Sequence, residues 1–196
     1  MLQMYIQQFL DKGFKIKEFS KGSVIYEPGM KPRFVYFIKK GEVRMVTVND
    51  EGKEFIQGVF KAGQYFGEPA LLADRPYLAY TIVNKNAEII AVGKTDFFNL
   101  LKEDADFSMN LITVLSNRLF YKSMMLEELA SEKAEHRLET IINYLFSEIE
   151  AGESLKMTRQ DLADMTGLRV ETVIRGVKLL SDKGVLSLSR GKIIKN

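Results

Sequence analysis

The sequence predicts an α+β protein: a β barrel at the N-terminal end, one long helix, and two short helices with a terminal hairpin. Three observations predict it. Residues 15–93 break into short strand-like runs separated by glycines, the pattern of an all-β sandwich or barrel. From Lys94 to Ala151 there is no Gly or Pro, so nothing local interrupts a helix. "TRQDLADMTGLRVETVIRGVKLLSDKG" then places two helical segments on either side of Gly167, the layout of a helix-turn-helix.

Size and composition set the outer limits. The chain of 196 residues is 46% hydrophobic and carries a net charge of +2, enough apolar content for real cores with no strong overall charge bias. No run reaches about twenty apolar residues, so no transmembrane helix is expected. "MLQMYIQQFLDKGF" lacks a basic segment followed by an apolar one, so no signal peptide is expected and a cytoplasmic location fits. The absence of cysteine excludes disulfides, cysteine-ligated zinc and iron–sulfur clusters. The single histidine, His136, lies outside the barrel and cannot supply a cupin-like metal cluster; it reads as an exposed helix residue and not as a haem ligand. No nucleophile elbow, P-loop or dinucleotide fingerprint is present. No catalytic residue, metal or cofactor is expected, and the chain does not read as an enzyme.

In the first zone the strand-like runs are "KIKEFS", "SVIYEPG", "FVYFIKKG", "EVRMVTVNDEG", "EFIQGVFKAG", "YLAYTIVN" and "AEIIAVG". Gly22, Gly29, Gly41, Gly52, Gly63 and Gly67 fall where turns need positive φ or close backbone approach. "NDEG" at Asn49–Gly52 is the expected tip of a hairpin, and "LQMYIQQFL" is expected to be a short helix covering the barrel.

The second zone is expected to be one helix from Asp96 or Asp106 to Lys133. Ile112, Leu115, Leu119, Lys122, Leu126 and Leu129 alternate three- and four-residue steps, a coiled-coil seam with one polar interruption at Lys122. That spacing favours self-association through Ile112, Leu115, Leu119, Leu126 and Leu129 over packing on the helix's own domain.

The third zone starts near Ala134. "HRLETIINYLFSEI" carries Leu138, Ile141, Ile142, Leu145 and Ile149 on one side of a helix. Thr158 and Asp161 form a capping-box-like start to the next helix. Ala163 is small where two helices must cross, Gly167 makes the turn, and Leu162, Leu168 and Val173 are expected to share a small core. Gly184 closes the second helix, and two strands flank Ser189-Arg190-Gly191, which makes a winged version. From Lys156 to Asn196 nine basic residues stand against four acidic ones, a bias that points to nucleic acid. The second helix would enter the major groove. Glu171 and Arg175 lie one turn apart: either they form a surface ion pair, or Glu171 accepts from cytosine N4 and Arg175 bonds guanine O6 and N7. The surrounding pattern favours base reading, with loose pairing of the two in the free protein. Thr158, Arg159, Arg169 and Thr172 are placed to hold phosphates, and Lys178 to touch only backbone or water.

These zones, together with "FGEPALL" at Phe66–Leu72, "DFFNLL" before the long helix and "TRQDLADMTGLRVETVIRGVKLL", resemble the CRP/FNR family of bacterial transcription regulators over nearly the whole chain. The resemblance implies a jelly-roll, cyclic-nucleotide-binding-like barrel that senses an effector (1–105), a dimerisation helix (106–133) and a winged helix-turn-helix (134–196). It implies a homodimer on a palindromic operator in double-stranded DNA, with RNA polymerase as a further partner and no membrane. The family's Glu-x-x-x-Arg reader matches Glu171 and Arg175. Val170 stands before it as in FNR-like members, and Ile174 replaces the serine that those members use on thymine, so a G·C pair is expected in each half-site.

The effector loop departs from the family pattern. Cyclic-AMP-binding members carry Gly-Glu and then Arg-Ser-Ala or Arg-Thr-Ala, in which the arginine neutralises the cyclic phosphate and the glutamate holds the ribose. Gly67-Glu68 is intact, but the loop reads "DRPYLAY". Leu78, or with one gap Tyr77, takes the arginine position, so cyclic AMP is not expected. The effector is left unidentified. Its candidate pocket is Gly67, Glu68, Tyr77 and Tyr80, with Lys122 and Ser123 from the long helix. The alternative for Gly67 and Glu68 is a barrel turn with a satisfied surface carboxylate, and for Lys122 a snorkelling side chain. A regulator working without a small ligand or through a protein partner is the competing reading, and a cyclic-nucleotide-responsive one the more distant alternative.

Overall fold

The computed structural model describes residues 2–130 and 134–196, with side chains described within 3–127 and 135–196. The chain divides into two compact units, Met1–Ile112 and Thr113–Asn196.

In the first unit six strands form one antiparallel sheet with the order β1-β6-β3-β4, β2 adding to β6 and β5 to β3. The strands are β1 (Ile16–Phe19), β2 (Val24–Tyr26), β3 (Phe34–Val48), β4 (Glu54–Lys61), β5 (Tyr65–Phe66) and β6 (Tyr80–Gly93). Two expected strand breaks are absent. "FVYFIKKG" and "EVRMVTV" are a single strand, β3, and "YTIVN" and "AEIIAVG" are a single strand, β6. Their pairing shifts register between Ile38 and Val43 instead of ending. The reason lies at Gly41, which has φ 92°. A Cβ there would fall 2.6 Å from Ala87 Cα, so glycine lets two long strands bend past each other at van der Waals contact. The Asn49–Gly52 tip joins β3 to β4 as expected, with Gly52 N–H donating to Asn49 O at 2.9 Å.

Helix α1 (Leu2–Asp11) covers the sheet as expected. Its Tyr5 packs edge-on against Phe107 at 4.9 Å, and Phe9 lies against Phe37 at 4.9 Å. The expected long helix is two helices, α3 (Lys94–Glu103) and α4 (Ala105–Ala130). Asp104 between them is extended and its Oδ1 accepts from Phe107 N–H at 2.8 Å. This local side-chain-to-backbone bond starts a new helix where no Gly or Pro advertises a break. The expected end at Lys133 and the side chain of Leu129 lie outside the described residues.

The second unit contains α5 (Ala134–Phe146), α6 (Arg159–Thr166), α7 (Val170–Asp182), β7 (Leu186–Ser189) and β8 (Lys192–Lys195). Leu138, Ile141, Ile142 and Phe146 of α5 are buried. Ile149, expected on this helix, lies in the turn beyond it, where Ile149 N–H donates to Phe146 O. Strands β7 and β8 pair antiparallel across Arg190 and Gly191, both at positive φ. No described helix is long and apolar enough to cross a membrane.

Candidate nucleic-acid interface and barrel site

The helix-turn-helix is built from local bonds outward. Thr158 Oγ1 accepts from Asp161 N–H at 3.0 Å and Asp161 Oδ2 accepts from Thr158 N–H at 2.8 Å, a reciprocal capping box that satisfies two otherwise orphaned donors. Gly167 at φ 69° ends α6, its N–H bonded to Ala163 O. Ala163, Leu162 and Val173 are buried; Leu168, expected beside them, is only partly so, because its N–H is tied to Ala163 O at 3.1 Å in the exposed turn.

Helix α7 shows a clean division of faces. Val173, Gly176, Val177 and Leu180 are buried, while Glu171, Ile174, Arg175 and Lys178 are exposed, the two sets separated by the 3.6-residue repeat. Among the described residues no ion pair joins Glu171 to Arg175, which corrects the expectation of loose pairing. An exposed i,i+4 pair gains only about 0.2–0.5 kcal/mol, too little to hold two long side chains together. Arg169 precedes the helix and is exposed, Thr172 is half-buried in its first turn, and Thr158 and Arg159 stand at the start of α6. Burial lowers the Arg159 guanidinium from its ordinary value.

Three residues shape this unit without a sequence signal that singled them out. Gly176 faces Leu138 of α5, and a Cβ on it would lie 2.6 Å from Leu138 Cδ2. A glycine in mid-helix, with six positions of helix on either side, was the available hint. Arg137 Nη1 donates to Thr166 O at 3.1 Å, joining α5 to the end of α6. Lys195, counted above among the basic residues, donates from Nζ to Phe146 O at 2.9 Å and Ile149 O at 2.7 Å. It caps the last carbonyl of α5 and one in the turn beyond it and serves the fold. On α4, Tyr121 lies against Tyr144 of α5 with ring centroids 4.2 Å apart. Burial, and then the Tyr144 phenol, raise Tyr121 to about 12.

The predicted effector residues divide between the units. In the first, Gly67 (φ 92°) begins the short helix α2 (Glu68–Ala73), and a Cβ on it would meet Phe34 O and Tyr36 at 3.2 Å. Glu68 is fully buried, so it is not the surface carboxylate that the turn reading implied. Of the two residues competing for the arginine position, Leu78 is 84% exposed and Tyr77 5% exposed. Tyr77 therefore turns inward. Its ring stacks on Tyr26 at 3.6 Å and 7°, and its hydroxyl reaches Phe34 O at 3.4 Å and the Tyr36 hydroxyl. Burial first, then Tyr36, Tyr26 and Glu68, raise the Tyr77 phenol well above its ordinary value; burial likewise raises Tyr36. Tyr80 is half-buried at the start of β6, opposite Val46. A cavity of about 190 Å³ is lined by Lys17, Phe19, Ile25, Phe34, Tyr36, Ile89 and Ala91 and does not include Gly67, Glu68 or Tyr77.

In the second unit Lys122 and Ser123 are exposed on α4. Partial desolvation, and then the charge of Arg118, lower the Lys122 ammonium. Along the same helix Ile112, Leu119 and Leu126 are 56%, 68% and 70% exposed, while Leu115 is half-buried.

Comparison with known proteins accounts for both halves. Residues 16–104 match the cyclic nucleotide-binding domain family and residues 136–196 the Crp-like helix-turn-helix domain family. The chain is 29% identical over 185 residues to the cAMP-activated global transcriptional regulator CRP of Pasteurella multocida, covering 91% of this chain and 88% of that one. A transcriptional regulator of the CRP/FNR family from Thermus thermophilus is 26% identical with a TM-score of 0.69, covering 93% of each chain. The c-di-GMP-responsive global regulator CLP of Xanthomonas campestris shares the fold, with a TM-score of 0.75 at 23% identity and 97% of each chain covered. With both domain families present in this order on one chain, the protein belongs to the CRP/FNR family of transcription regulators, DNA-binding proteins controlled by effectors and not enzymes.

Proposed function

We propose that the protein is a homodimeric, sequence-specific regulator that lays the two copies of α7 into successive major grooves of a palindromic operator. The observation that carries this reading is the outward row of Glu171, Ile174 and Arg175 over a buried row of Val173, Gly176 and Val177. A helix so anchored presents its polar readers with fixed spacing. Glu171 takes cytosine N4 and Arg175 takes guanine O6 and N7 of a G·C pair. Ile174, exposed between them, supplies an apolar surface suited to a thymine methyl group. Thr158, Arg159, Arg169 and Thr172 hold phosphates and set the register.

Dimerisation is supported by the apolar row on α4. Ile112, Leu119 and Leu126, more than half exposed in the single chain, match the a positions of a seam whose d positions are Leu115, Lys122 and Leu129. Exposed large apolar side chains in a row mark an association surface. In this reading residues 1–105 form the sensing barrel, 106–133 the dimer helix and 134–196 the DNA-binding domain. The dimer works in the cytoplasm and meets RNA polymerase at its promoters. The barrel site comprises Gly67, Glu68, Tyr77 and Tyr80.

Selection of bound DNA from a random pool tests the whole reading. The expected product is an inverted repeat with a G·C pair in each half and half-site centres about one helical turn, roughly 34 Å, apart. Enrichment of a single unrepeated site, or of nothing, overturns it. A second reading, regulation without a small ligand, is favoured by one observation: Tyr77 fills the barrel site with the chain's own side chain.

A further inference from the structure

We propose that Tyr77 is an internal ligand of the barrel, and that the position it fills takes a neutral, planar, hydroxyl-bearing aromatic molecule, not a phosphate-bearing nucleotide. The inference rests on the barrel being the sensing unit, as read above, and adds what occupies it.

Tyr77 is held as a docked group is held, from all sides. Its main chain is clamped to the β2–β3 connection by two backbone bonds, Tyr77 N–H to Met30 O at 3.1 Å and Gly29 N–H to Tyr77 O at 2.8 Å. Its ring lies face to face on Tyr26 with centroids 3.6 Å apart. Isolated aromatic pairs prefer offset or edge-on contact, so the surroundings, not the pair itself, impose this arrangement. Tyr36, stacked on Phe66 at 5.1 Å and 12°, meets the Tyr77 hydroxyl. The loop that delivers the ring is fixed at its start, where Lys94 Nζ lies 2.9 Å from Asp74 Oδ1 and Arg75 N–H donates to Ala70 O at 3.1 Å.

The chemistry of the position follows from its walls. They are aromatic faces, a backbone carbonyl and a phenol hydroxyl, and the charged group that bears on Tyr77 is the buried Glu68 carboxylate. Tyr77 and Leu78, at the loop positions where cyclic-AMP-binding members carry arginine, bring no cation to balance a phosphate. A flat ring with one hydroxyl reproduces each contact that the Tyr77 side chain makes.

The test is chemical rescue in the full-length protein. Tyr77→Gly removes a p-cresol-sized group and leaves a hole of that shape, and apolar cavities of this kind take up small aromatics. The variant is expected to melt several degrees below the wild type. Millimolar p-cresol is expected to raise its Tm again by several degrees while leaving the wild type unmoved, toluene to raise it less, and cyclic AMP to move neither. If Tyr77→Gly is unfolded on its own, p-cresol added before refolding must restore its circular dichroism. A folded variant that ignores p-cresol, an unfolded one that p-cresol does not restore, or a wild type stabilised by cyclic AMP overturns the proposal. These readouts come from barrel stability. A wild type that binds no operator would sink the function proposed above while leaving the rescue intact.

Discussion

Gly176 of α7 sits so close to Leu138 of α5 that a Cβ on the glycine would lie 2.6 Å from Leu138 Cδ2. The recognition helix therefore rests on its support through a missing side chain. Gly176→Ala gains helix propensity, about 0.8–1 kcal/mol, but Leu138 is buried and its displacement costs about 1–3 kcal/mol. Net destabilisation of the DNA-binding unit is the expected outcome. Leu138→Ala in the same chain should offset part of it, read as a coupling energy in a urea-denaturation double-mutant cycle. Strict additivity of the two changes would contradict the contact.

Arg175 stands exposed on the outward row of α7 without a pairing cost to break. Arg175→Ala is expected to lose about 1–3 kcal/mol of discrimination at one G·C position in each half-site. Competition binding with every base at each operator position measures it. A uniform loss across all positions would assign Arg175 to the backbone instead.

Arg159 makes the opposite prediction. At the start of α6 it is placed against phosphate, so Arg159→Ala should weaken all sequences alike and reduce the slope of log K against log salt by about 1 for each arginine removed. Titrations at several salt concentrations give the slope; an unchanged slope rules the phosphate contact out.

Leu119 is 68% exposed on α4. Leu119→Glu places a charge in the middle of the proposed seam, where two copies would face each other, and like charges there oppose association. Sedimentation equilibrium is expected to show a monomer with its circular dichroism intact. A dimer that survives the change would move the interface elsewhere.

The tyrosines give a pH dependence. Burial raises Tyr77 and Tyr36, and holds Tyr121 at about 12 against an ordinary 10.0. A phenol whose folded-state value is raised contributes stability that is fully present below its unfolded value and lost as pH rises through the folded one. The fold should therefore loosen from pH 10 toward about 12, with part of the tyrosinate absorbance appearing together with the loss of circular dichroism. Titration of all eight tyrosines near 10, with the fold intact, would show that these phenols are not buried.

The features legible from residue order were those made by bonds between near neighbours. Thr158 and Asp161 close their capping box across three residues, Gly167 turns at the αL position, and Asn49–Gly52 turns the β3–β4 hairpin. The outward and buried rows of α7 follow from the helical repeat alone. What the residue order did not disclose depends on partners distant in the chain. Gly41 looked like a strand end because the Ala87 backbone that it lies against is 46 positions away. Lys195 looked like part of a basic surface because its acceptors are the carbonyls of Phe146 and Ile149.

The barrel site shows the same division at one loop. From the sequence, Tyr77 and Leu78 compete for the arginine position, and both lack its charge; that alone argues against a cyclic phosphate. Which of them turns inward is a matter of tertiary packing. The backbone bonds of Tyr77 to Gly29 and Met30, and the flat face offered by Tyr26, bring the phenol inside and leave Leu78 in water. Local periodicity and turn chemistry act over a few residues and can be read in order, whereas the filling of a cavity is settled only when surfaces from β2, β3 and the α2–β6 loop meet.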